Sequence, residues 1–247
     1  MAGPLTAELQ ARGIIAPGIA ELAFAMRSPA RLAFRAGQFV SLALPSSPEE
    51  GAGAIPRRSY SIASQSDAGD VLRFIIRVIP EGKASDYLMA LPLGATINLT
   101  GPHGFFVLDQ AHSGDVVFAA TGTGIAAVMP MLGELAKARR AGTTSTGPRV
   151  VVYWGLRHQA DIFSRAEIDG LAAAADAELR IHLTAPETDW AGGQGRITPA
   201  LLDRLPHLTA PTFYLVGNGA MITELKRELI SRGVNRKTQI RTEAFFD

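Results

Sequence analysis

The sequence predicts two domains of different class: a small antiparallel Greek-key β-barrel over residues 1–110, then an α/β doubly wound parallel sheet over residues 111–247. Up to about residue 108 the chain is a series of short β-like runs separated by Gly and Pro. After Gly114 the rhythm changes to strand then helix, repeated to the end. The strands of this second half are unbroken apolar runs, as strands covered by helices on both faces must be. A chain of 247 residues suits two ordinary domains, and 47% hydrophobic with 19% charged residues is a globular composition, not a disordered one.

In the first half the runs fall at 5–15, 19–26, 38–44, 58–64, 71–79 and 96–100, with one helical insert near Ser85–Leu91. Six strands can close on themselves and so hide their edges. A polar, glycine-rich loop is expected at 46–56. In the second half VVFAA, RVVVYWG, ELRIHLTA and TFYLVG read as strands. Helices are expected up to Ala141, near Arg165–Ala175, near Thr198–Leu205 and from Ala220 to Arg232, with a plain loop at 143–148. Residues 116–133 carry no charge over 18 positions, but Gly122, Gly124 and Pro130 divide them into strand, turn and helix instead of a membrane span.

Composition narrows the chemistry. The chain has no cysteine, which removes disulfides, thiolate nucleophiles and cysteine-ligated clusters, so any redox chemistry calls for an organic cofactor. Five scattered histidines lack metal-ligand spacing. A balance of 24 basic and 23 acidic residues supplies no broad field toward nucleic acid or an anionic membrane. The N-terminal residues lack the basic start and apolar core of a signal peptide, and a cytoplasmic location is expected.

Four constellations carry candidate chemistry. Arg58-Ser59-Tyr60-Ser61 closes a barrel strand with a guanidinium, hydroxyls and an aromatic ring, a set that can hold phosphate and stack on a planar ring. A plain strand of alternating exposed and buried residues accounts for the same letters. Gly82-Lys83-Ala84-Ser85 stands where a strand hands over to a helix, either as an anion site or with Ser85 as an N-cap. Thr121-Gly122-Thr123-Gly124 and Gly217-Asn218-Gly219-Ala220-Met221 each follow a parallel strand, and two glycine turns at one sheet edge favour a nucleotide cleft.

In order, RSYS, EGKAS, GPHGFF, ATGTGIA, YWGLR, GRIT, LVGNGAM and TEAFF resemble the ferredoxin–NADP⁺ reductase family of flavoproteins, from Ala36 to the last residue. The resemblance implies an FAD-binding barrel, a nicotinamide dinucleotide domain and the isoalloxazine between them. It implies that Arg58 contacts FAD phosphate, Tyr60 packs on the flavin and Ser61 lies near flavin N5. Gly82, Lys83, Ala84 and Ser85 then lie on the FAD pyrophosphate, with Arg77 adding adenosine-side contacts. Thr121 to Gly124 and the Gly217 turn face the dinucleotide, and Arg157 and Arg196 match family arginines that read a 2′-phosphate, which favours NADP(H) over NAD(H). At the C-terminus Phe245, or Phe246 in its place, stacks on the flavin and Glu243 serves proton transfer; alternatively these aromatics only anchor a final strand.

The chain departs from the family pattern at Ala127, where proline is usual, at Val216, where cysteine is common, and at Ala185-Pro186, where a third cation often stands. The implied activity is hydride transfer from NADPH to FAD and single-electron transfer to ferredoxin or flavodoxin, by a monomer. Arg27, Arg31, Arg35 and Arg57 are candidates for a basic docking rim. Two other readings stand beside it: an NADH-dependent reductase component of an oxygenase or a flavin reductase, and a flavin-binding subunit with slow hydride transfer.

Overall fold

A computed structural model describes residues 5–45, 56–109, 114–142 and 148–245. Most of the loop expected at 46–56, most of that at 143–148, and Phe246 lie outside them. The chain divides into two compact units, one up to Val107 and one from Leu108.

The first unit is a six-stranded antiparallel sheet built from β1 (Leu5–Ala16), β2 (Ile19–Ser28), β3 (Phe39–Ala43), β4 (Arg57–Ser61), β5 (Val71–Arg77) and β6 (Thr96–His103), in the order β4-β3-β6-β1-β2-β5. The backbone just after β4 closes the ring, where the Ala63 N–H donates to the Arg73 carbonyl at 2.8 Å. Alternation then decides what fills it: Leu22, Phe24, Val40, Leu42, Leu72, Phe74, Ile97 and Leu99 point inward and are buried. Helix α1 (Lys83–Ala90) adds Leu88 to this core. Arg12 fastens the other end of α1 by donating to the carbonyls of Leu88 at 3.1 Å and Leu91 at 2.7 Å, which are orphan acceptors at a helix C-terminus.

The second unit is a parallel sheet of β7 (Val116–Thr121), β8 (Val150–Leu156), β9 (Ala177–Leu183), β10 (Gly193–Gln194), β11 (Thr212–Asn218) and β12 (Ile240–Phe245), in the order β10-β9-β8-β7-β11-β12. The helices are α2 (Ile125–Arg140), α3 (Arg165–Ala174), α4 (Ile197–Arg204), α5 (Gly219–Ser231) and the short α6 (Arg236–Gln239). Helices α4 and α5 bury Leu201, Met221, Leu225 and Leu229 against Val117, Val151, Tyr153 and Leu215. The wholly apolar runs of β7, β8 and β11 are thus the central strands, covered on both faces. Of the two edge strands, β10, of two residues, was not expected, whereas β12, whose burial alternates, is the final strand that the alternative reading of the C-terminal aromatics allowed. Pro130 stands inside α2 without ending it.

Candidate functional site

In the barrel unit, β4 carries RSYS along β3, with Ser59 opposite Ser41 and their hydroxyls 2.9 Å apart. Arg58 and Ser59 are exposed and Ser61 is buried. Tyr60 is half-buried against the barrel core, its ring centroid 6.4 Å from that of Phe74. Burial pushes its phenol above the ordinary tyrosine value, and the Arg58 guanidinium pulls the other way. The strand therefore presents a cation and an aromatic ring side by side. Arg77 is exposed at the end of β5.

At α1 the N-cap is Gly82, not Ser85, and no side chain caps the helix. Ser85 is buried in the first turn, where its hydroxyl accepts the Ile79 N–H at 2.9 Å and ties the incoming loop to the helix. A Cβ on Gly82 would come within 2.9 Å of the Ile79 carbonyl oxygen, so the loop closes this tightly only on glycine. Lys83 and Ala84 open the helix directly after Gly82, so a cation and first-turn backbone N–H groups come together at this end of α1, the kind of donor set that suits a pyrophosphate.

In the α/β unit the strand order reverses at β7, with β8 to β10 on one side and β11 and β12 on the other. Crevices for ligands form at such switch points, beyond the carboxyl ends of the strands. Both glycine turns stand there. The Asn218 N–H donates to Thr121 Oγ1 at 2.9 Å, and the indole N–H of Trp154 donates to the Gly122 carbonyl at 2.9 Å. Sequence reasoning missed Trp154 as a support; its signal was an indole in register with Ala120, one residue before the first turn.

The glycines do different things. Gly217 has φ +113°, and a Cβ there would lie 2.6 Å from the Thr121 carbonyl oxygen. One on Gly124 would lie 2.9 Å from that of Val216. These two let the turns pack. Gly122, with φ +54°, is required by its backbone, which precedes Thr123 in a 3₁₀ turn. Gly219 has neither reason: its φ is ordinary and a Cβ would meet open space. A bare backbone facing open space at the start of α5 fits close approach by a dinucleotide.

Asn218 caps α5, its Oδ1 accepting from the N–H groups of Ala220 at 3.0 Å and Met221 at 3.1 Å. The Met221 side chain is buried in the core and reaches the turn only through its backbone. Val216 is fully buried, and so is Ala127, near the start of α2. Pairing of β12 with β11 sets Glu243 opposite Val216 and Phe245 opposite Asn218. Phe245 therefore both ends a strand and stands at the same sheet edge as the glycine turns.

Beyond β8, Arg157 is exposed, and its side chain has no partner among the described residues. Arg196 is the N-cap residue of α4 and is paired with Glu224 at 3.2 Å. Of the candidate rim, Arg27 is neutralised by Glu8 at 2.9 Å and Arg31 donates to the Asp67 carbonyl at 2.5 Å. Arg57 is exposed.

Comparison with known proteins finds the same two domains. Residues 6–108 match the oxidoreductase FAD-binding domain and residues 118–227 the oxidoreductase NAD-binding domain. The fold and site thus define a two-domain oxidoreductase for FAD and a pyridine nucleotide. The chain is 33% identical to ferredoxin–NADP reductase B of Sorangium cellulosum over 96% of each chain. It is 32% identical to the reductase subunit of an aromatic O-demethylase of Amycolatopsis, over 77% of this chain and 55% of that one. A ferredoxin NADP⁺ reductase from Neisseria gonorrhoeae, solved with bound FAD and NADP, has the same fold, with a TM-score of 0.80 at 22% identity over 98% of each chain. The chain belongs to the ferredoxin–NADP reductase family.

Proposed function

We propose that this protein oxidises NADPH with a bound FAD and passes the electrons singly to a small carrier protein, ferredoxin or flavodoxin. The observation that carries this is the pair of glycine turns joined at the switch point, with Gly219 bare beside them. Bound flavin supplies the conversion between a two-electron donor and a one-electron acceptor. The chain's part is placement. Arg58 and the first turn of α1, from Gly82 to Ser85, hold the FAD phosphates; Tyr60 packs on the ring, and Ser61 lies at its edge. Thr121 to Gly124 and Gly217 to Gly219 would position the nicotinamide dinucleotide, Phe245 would supply a ring to stack on the flavin, and Glu243 a carboxylate for proton transfer. Arg77 lies toward the FAD adenosine. NADPH is favoured on the strength of Arg157, since Arg196 is shared with Glu224.

A second reading, the reductase component of an oxygenase, is favoured by the likeness to the O-demethylase subunit. The test is an absorbance spectrum followed by anaerobic titration with NADPH and, separately, NADH. Flavin bands bleached by low NADPH, then restored by oxidised ferredoxin or flavodoxin, support the first reading. Bleaching by NADH with neither carrier reduced supports the second. Protein that retains no flavin in excess FAD removes both.

A further inference from the structure

The edge formed by the carboxyl ends of β8 and β9 holds two carboxylates that no role in the site described so far has used. The backbone runs on beyond the strand ladder here: the Thr184 N–H donates to the Leu156 carbonyl at 3.1 Å and the Ala185 N–H to that of Arg157 at 2.8 Å. Arg157 thus lies on a closed double segment. The next two backbone donors are both taken. The His158 N–H donates to Asp161 Oδ2 at 2.8 Å, and the Gln159 N–H donates to Glu187 Oε2 at 3.1 Å across the gap between the two segments. The His158 ring is fixed as well, with Nδ1 3.1 Å from the Ala185 carbonyl oxygen.

A phosphate dianion is bound best where a guanidinium stands beside free backbone N–H groups. Here the guanidinium is present, but the two N–H groups that follow it each carry a carboxylate. A 2′-phosphate drawn to Arg157 brings its charge toward two carboxylates held on the N–H groups one and two residues beyond it, whereas an unphosphorylated ribose, which donates hydroxyl hydrogens, carries no charge for them to repel. We infer that Glu187, seconded by Asp161, is a specificity-determining residue that holds down the preference for the 2′-phosphorylated dinucleotide that Arg157 creates. This rests on the proposed reading that the adenosine end of the dinucleotide lies over β8 and β9.

The test uses Glu187→Gln and Asp161→Asn in the full-length flavoprotein. Each amide keeps an acceptor for the backbone N–H and removes only the charge. The ratio of kcat/KM for NADPH to that for NADH is expected to rise about tenfold in Glu187→Gln and less in Asp161→Asn, given how like charges interact at the protein surface. Calorimetric titration with adenosine 2′,5′-bisphosphate and with 5′-ADP gives a reading independent of turnover, and the preference for the bisphosphate should rise in step. Loss of that preference in Arg157→Ala, with or without Glu187→Gln, is also expected. Equal shifts for the two nucleotides, or none, in both charge variants would overturn the inference by making the carboxylates merely structural. Wild-type protein that oxidises neither nucleotide would instead remove the functional reading beneath it.

Discussion

Asp115 shows how one side chain can hold a sheet together. It is buried at the start of β7, and its carboxylate accepts from the Thr209 N–H at 2.8 Å, the Arg149 N–H at 3.1 Å and the Arg149 guanidinium at 2.9 Å. Burial alone would raise its pKa, but these three donors outweigh burial and hold it below the ordinary value. Replacing Asp115 by Asn turns an amide N–H toward donors, and about 2 kcal/mol of stability should be lost at pH 7. The sign with pH follows. A carboxylate with a lowered folded pKa contributes fully above its unfolded value of about 3.9, and that contribution fades as pH falls through the folded value. Urea melts of wild type and Asp115→Asn should therefore differ clearly at pH 7 and converge at strongly acid pH; a constant gap would mean that the carboxylate's charge is not what stabilises. On the barrel, Tyr60→Ala should lower the flavin content of purified protein about tenfold while Tyr60→Phe retains it, because the ring and not the hydroxyl is proposed to pack on the flavin.

At the scale of elements, the two turns at the switch point separate what folds the sheet from what serves it. Gly217→Ala puts a Cβ against the Thr121 backbone from a φ of +113°, and should cost about 3 kcal/mol, seen as a large fall in Tm. Gly219→Ala adds a methyl to open space at a helix start, so Tm should stay within about 2 °C. Its effect should appear as a raised KM for the dinucleotide; unchanged KM would show that nothing approaches this backbone. The division was partly legible in the sequence. Glycine after an apolar strand announces a turn, and β7, β8 and β11 could be read because burial on both faces leaves them continuously apolar. Edge strand β10 could not, being two residues long, and β12, alternating like any half-exposed segment, was legible only as an alternative for the C-terminal aromatics. Nor could the partners of Arg196 and the donors beside Arg157, because Glu224 and Glu187 reach them from elements distant in sequence. Ser85 has the composition of a cap, but whether the chain turns at Gly82 or three residues later is set by packing against Ile79.

The whole molecule offers a natural pair of reporters. Both tryptophans, Trp154 and Trp190, belong to the α/β unit, and the barrel has none. Trp154 is fully buried and donates to the Gly122 carbonyl, so its emission responds both to unfolding of that unit and to events at the first glycine turn. Flavin, held by the barrel in the proposed reading, reports on the other unit through its visible bands. Each unit has its own apolar core, one around Phe24, Phe74 and Leu99, the other around Tyr153, Phe213 and Leu225. Two cores in one chain permit two cooperative transitions, and a ligand stabilises only the unit that binds it, by an amount that grows with the logarithm of its concentration. In guanidinium chloride, flavin release and tryptophan emission should therefore give different midpoints. Added FAD should move the flavin midpoint further than the tryptophan midpoint, since Phe245 is the α/β unit's proposed contact with it, whereas adenosine 2′,5′-bisphosphate should move chiefly the tryptophan midpoint. At a hundredfold excess over Kd each shift should correspond to about 2.7 kcal/mol in the unit concerned. Coincident midpoints that move together with either ligand would show instead that the two units unfold as one, and that neither reporter isolates the unit in which it lies.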